Sequence, residues 1–109
     1  MGAEGSVWRV VGRGGTVGEI TVDGSGDFPW LGGRFTPGPA HDAVKPLFER
    51  ELALLERIDE DPEAWEAARA EIERAVDLVS PQGPVAEFLL HVDGDRAWFR
   101  WSDEPFSGG

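Results

Sequence analysis

The 109-residue chain has no cysteine, which excludes disulfides, iron–sulfur clusters and thiolate zinc sites and fits a reducing compartment, so a cytoplasmic protein is expected. Histidine is nearly missing too. His41 and His91 are the two present, and neither belongs to an HExxH-type spacing, so no metal and no cofactor is expected. A solvated or hydrogen-bonded surface position accounts for each, His41 before a helix and His91 facing outward beside Arg96. Five serines, Ser6, Ser25, Ser80, Ser102 and Ser107, lack any nucleophile elbow, and no catalytic residue stands out. Apolar runs stop well short of the roughly 18 residues a membrane span needs, and "MGAEGSVWRV" has neither the basic start nor the apolar stretch of an export signal.

Positive charge is also scarce, with 10 Lys/Arg against 21 Asp/Glu and a net charge of −11. Twelve of the carboxylates fall in residues 41–80, against five basic residues. Such a field repels phosphate backbones, so neither nucleic acid nor a membrane is an expected partner. A basic protein suits it better, although solubility alone accounts for an acidic excess.

Glycine is abundant, and two glycine-rich strings invite readings that fail on context. "GRGGTVG" lacks the following helix and the Gly-Lys-Ser/Thr of a phosphate loop. "DGSGD" places Asp23, Ser25 and Asp27 at the alternation of a calcium loop, but Phe28 stands where that loop needs glycine and Arg34 where it needs glutamate. Turns explain both.

The length fits one domain over 1–109, with 1–6 and 107–109 expected to be flexible. "SVWRVVGRGGTVGEITVDG" reads as a hairpin over 7–13 and 17–23. A Gly14-Gly15-Thr16 loop would set Val10 opposite Ile20 and Trp8 opposite Val22, with Arg9 and Thr21 on the other face. The segment 24–40 reads as a long loop with a short strand near 34–36. From Asp42 the period becomes helical: Val44, Leu47, Phe48, Leu52, Leu55 and Ile58 form one stripe of a helix over 43–58. Asp61 as cap and Pro62 as first residue start a second helix over 62–79, whose stripe is Trp65, Ala68, Ile72, Ala75, Val76 and Val79.

A last hairpin spans 85–92 and 95–101. With Asp93-Gly94 at the turn, Leu90 would meet Ala97, Phe88 meet Phe99 and Ala86 meet Trp101 on a buried face. His91 would then meet Arg96, Leu89 meet Trp98 and Glu87 meet Arg100 on the other. The expected fold is therefore α+β in two layers, a mostly antiparallel sheet from two hairpins with two amphipathic helices on one face.

Two aromatic and cationic strings remain, "FPWLGGRF" and "RAWFRW". If Trp30, Arg34, Trp98 and Arg100 meet on the sheet face away from the helices, beside His91 and Glu87, they form an amphipathic patch of the kind enriched at interfaces. The segments "DFPWLGGRFTPGPAHDAVKPLFERELALLE" and "EFLLHVDGDRAWFRW" resemble those of a group of small bacterial, particularly actinobacterial, proteins of unknown function. The likeness runs from about Trp8 to Phe106, implies a bacterial cytoplasmic protein, and brings no activity or site residue with it. The leading expectation is a non-catalytic protein-interaction or regulatory domain that engages a basic partner or a second copy of itself. The alternatives are a binding or enzymatic pocket for an anionic ligand between the 28–35 loop and the last hairpin, and an acidic antitoxin, immunity-type or nucleic-acid-mimic protein.

Overall fold

A computed structural model describes residues 5–24 and 30–102. The expected flexible ends, apart from residues 5 and 6, and residues 25–29 of the long loop lie outside that range. The chain runs β1 (Val7–Gly12), β2 (Gly15–Val22), β3 (Leu31–Pro37), α1 (His41–Leu55), α2 (Pro62–Ala75), β4 (Val76–Ser80), β5 (Gly83–Pro84), β6 (Glu87–Asp93) and β7 (Arg96–Ser102). The strands form a single antiparallel sheet in the order β5-β4-β1-β2-β3-β7-β6, curled into a half-barrel. This is an α+β fold, with both expected hairpins at β1–β2 and β6–β7. No helix among the described residues is long and apolar enough to cross a membrane.

Strand alternation selects what the sheet buries. Trp8, Val10, Ile20, Val22, Phe35, Leu78, Phe88, Leu90, Val92, Ala97 and Phe99 project to the concave face, and all are buried. The helices supply Phe48 and Ile72 to the same cluster. Each fully buried aromatic or branched side chain there contributes about 1.5–3 kcal/mol. Asp61 caps α2 by accepting the Ala64 N–H at 3.2 Å, and Pro62 follows it as the sequence requires.

Four expectations are corrected. The string read as a long loop contains β3, a central strand hydrogen-bonded to β2 on one side and β7 on the other. Its glycines disguised it. A Cβ on Gly33 would stand 2.0 Å from the Thr21 carbonyl oxygen, so only glycine lets the two backbones approach. Similarly, the Phe35 ring lies where a Cβ on Gly18 would be, 2.3 Å from its Cζ.

The second correction concerns the helix expected over 62–79. It ends at Ala75, and Val76 is already extended at φ −138°, ψ 160°. Val76 and Leu78 turn inward while Asp77 faces out, and the strand pairs with β1 from Arg9↔Val79 to Gly12↔Val76. Val76 suits the helical stripe and the strand alike, whereas the strand buries Leu78 and sets Val79 on the other face, and long-range pairing with β1 decided between the two. The first helix likewise stops early, at Leu55.

Both hairpin registers differ from expectation. In the first, Arg13 and Gly14 form the turn, Gly12 faces Gly15, and a bulge between Val10 and Val11 brings Val10 opposite Gly18 and Trp8 opposite Ile20. In the last, the turn is Gly94-Asp95, with Gly94 at φ +63°, and Asp93 faces Arg96. That moves the pairing by two residues, which preserves the faces: Phe88, Leu90, Phe99 and Ala97 stay inward. Finally, Trp101 is not core. It sits at the end of β7, 38% exposed, with its ring tilted against Trp8 at 5.4 Å.

A candidate aromatic recognition site

Because β6 is an edge strand, its two faces do not share the same shelter. α1 lies along this edge, and its buried positions are Phe48 and, one turn later, Glu51. Phe48 enters the core. Glu51 is a carboxylate only 2% exposed, a position tolerable only when the charge is fully hydrogen-bonded. Both oxygens are engaged. Trp65 Nε1–H of α2 donates to Oε2 at 2.6 Å, and His91 Nδ1 of β6 lies 2.8 Å from Oε1.

His91 is 4% exposed, which corrects the outward surface position expected for it beside Arg96. It faces Trp98 across the β6–β7 ladder instead, and the helix α1 closes over it. The imidazole and the carboxyl group share one hydrogen bond through Nδ1 and Oε1, and the Trp65 indole supplies the second. Two indoles pack on this imidazole. Trp30 lies at 5.4 Å between centroids with a 29° interplanar angle, and Trp98 at 5.2 Å with 35°. Both are half-buried. Aromatic contacts of this kind contribute about 0.5–1.5 kcal/mol each beyond burial.

The strands hold Trp98 and Trp30 in place. Gly32 of β3 lies opposite Trp98 and offers no side chain beside the ring. The chain leading from β2 toward Trp30 is tied twice at its start: Asp23 N–H donates to the Gly32 carbonyl at 3.0 Å, and Arg96 Nη1 donates to Asp23 Oδ2 at 2.8 Å. A line of contacts thus runs from α2 (Trp65) through α1 (Glu51) and β6 (His91) to Trp30 and Trp98.

Of the six residues singled out in the sequence, Trp30, His91 and Trp98 meet directly. Arg34 is exposed on β3, beside Arg96 in the register and on the same sheet face as Trp98. Arg100 is half-buried on that face, two residues along β7 from Trp98, and lies opposite Leu89 rather than Glu87. Glu87 turns to α2, where Arg69 Nη2 is 3.8 Å away and also reaches Glu73 at 3.4 Å. Among the described residues the buried Arg69 Nε has no hydrogen-bond partner. Burial pushes the Glu73 carboxyl above its ordinary value of 4.5; Arg69 opposes that shift, and Glu87 and Glu66 add to it.

Glu51 and Trp65 belong to the site although the sequence did not single them out for it. A signal existed for Glu51: it stands three residues after Phe48 and four before Leu55, in the middle of the apolar stripe of α1. The cavity bordering Glu51, Trp65 and His91 has a volume of about 10 Å³, room for about one water and for no substrate. Among the described residues no three His, Asp or Glu side chains converge as metal ligands. No protein-family model matches the chain, and neither a curated protein nor a solved structure matches it.

Proposed function

We propose that the chain is a non-catalytic interaction domain that binds a protein segment on the outer sheet face, with Trp30 and Trp98 as anchors and Arg34 and Arg100 beside them. The observation that carries this reading is the packing of both half-exposed indoles on a buried imidazole that is itself fixed by Glu51. Indoles held in one orientation before contact lose little freedom on binding, which is how rigid aromatic anchors come to dominate interface energies. Arginine forks next to them favour a segment that carries carboxylates around an apolar side chain. That basic spot stands in a protein of net charge −11, so it also selects orientation. The roughly one-water cavity at the Glu51–His91 pair argues against using the pair for proton transfer to a substrate.

Panning a random peptide library on immobilised protein tests the proposal. The wild type should enrich acidic peptides with a central aromatic or aliphatic residue, and Trp98→Ala and Arg34→Ala should each weaken the selected peptides by about tenfold or more. Equal binding by the Trp98→Ala protein contradicts the reading. So does a doubling of mass with concentration that Trp98→Ala abolishes, because the occupant is then a second copy.

A further inference from the structure

The β1–β2 turn meets the start of α1 and the end of α2, and a cleft of about 470 Å³ opens between them. Its volume falls within the range of small-molecule sites, about 300–1,000 Å³. Its walls are Val17, Ala40, Ala43, Val44 and Leu47, all apolar. Three charged residues line it. Glu71 is already bound by Arg50 at 2.9 Å, whereas Arg13, in the turn, and Arg74, in the last turn of α2, make no ion pair within the described residues. Both arginines also border a contiguous hollow of about 210 Å³, where Asp77 is the further charged residue.

We infer that this cleft binds a small amphipathic monoanion, a carboxylate on an apolar body, with the body against Val17, Val44 and Leu47 and the carboxylate between Arg13 and Arg74. With Glu71 held by Arg50, two guanidiniums stand against the Asp77 carboxylate, and the negative end of α2 is offset by the positive start of α1, which leaves an excess of about one positive charge. That excess matches a single negative charge and disfavours a phosphate dianion. Arginine forks grip a carboxylate with two parallel hydrogen bonds, and the apolar walls supply about 25 cal/mol for each Å² of ligand they cover. The site is independent of the aromatic face.

Titration calorimetry with 2-naphthoate, its uncharged counterpart 2-naphthylmethanol and 2-naphthyl phosphate tests the assignment. Naphthoate should bind saturably, and Arg13→Ala and Arg74→Ala should each weaken it by about tenfold, the loss of a charge-assisted pair, while naphthylmethanol binds all three proteins alike. Gly14→Val supplies a steric test. Gly14 has an ordinary φ, and a Cβ there has only the Ala40 Cβ near it, at 4.0 Å. A side chain at this position fills the cleft, so both ligands should be lost with the melting temperature unchanged. Trp98→Ala should bind naphthoate as the wild type does. Absence of saturable naphthoate binding, affinity indifferent to both arginines, or naphthyl phosphate binding more tightly than naphthoate overturns the inference.

Discussion

Glu51 shows how a single residue can decide a surface it does not reach. It is buried, and the groups that touch it belong to α2 and β6. Removing it leaves the Trp65 indole N–H and the His91 Nδ1 without their hydrogen-bond partner, and each unsatisfied buried polar group costs about 1–3 kcal/mol. A double-mutant cycle with Glu51→Gln and His91→Gln, read by urea unfolding, should give a coupling energy of about 1 kcal/mol or more. Additive losses would mean that the two residues are merely neighbours. At this scale the sequence was partly legible. Trp30, His91 and Trp98 stood out as aromatic and titratable residues in two short strings, but nothing local showed that Trp30 and Trp98 would converge on one imidazole. Their meeting depends on β3 lying beside β7, and Gly32 and Gly33 gave β3 the look of a loop. His91 was assigned to the correct sheet face by alternation. Its burial was not visible, because that comes from a helix 40 residues away.

Among the elements, both hairpins, both helices and the cap of α2 could be read from turn residues, caps and periodicity, whereas element ends, pairings and the start of α1, which lies at His41 after an Ala40 that makes no side-chain cap, could not. β4 is the clearest case: Val76 and Val79 extend the helical stripe of α2, whereas strand alternation sets them on opposite faces and buries Leu78, and pairing with β1 decides the outcome. In the last hairpin, Asp93-Gly94 and Gly94-Asp95 are both acceptable turns, and both leave Phe99 inward and Arg100 outward. The packing of α2 against β6 carries a pH signature. Burial raises the Glu73 carboxyl above 4.5, so the folded chain holds this proton more tightly than the unfolded chain does. The stability it contributes is complete below the unfolded value and declines as pH rises through the folded one. Glu73→Gln should therefore flatten the stability–pH curve just above pH 4.5 and leave the neutral-pH protein at least as stable. Urea unfolding across that range checks it. A variant less stable at every pH would show that pairing with Arg69 outweighs the burial.

The whole molecule is small, with a radius of gyration of 13.3 Å, and highly negative, so most of its carboxylates feel one another at low salt. At about 0.1 M salt the screening length is about 10 Å, and it shortens further as salt is added. Exposed pairs such as Lys45–Glu49 at 3.9 Å contribute little to oppose that repulsion. The melting temperature should rise as sodium chloride is increased from about 0.01 to 0.5 M. A fall would mean that favourable pairs dominate the charge distribution. The same scale joins the two helices to the outer sheet face, since Trp65, Glu51 and His91 connect three elements in one line to Trp30 and Trp98. The most direct test of that connection is the order of the Trp30 and Trp98 indole N–H groups, measured by nitrogen-15 relaxation in the wild type and in Glu51→Gln. Both should be rigid in the wild type, with order parameters near about 0.85, and should drop below about 0.6 in the variant while the backbone of β7 stays ordered. Indoles equally rigid in both proteins, or mobile in both, would contradict a surface held in place by the buried carboxylate.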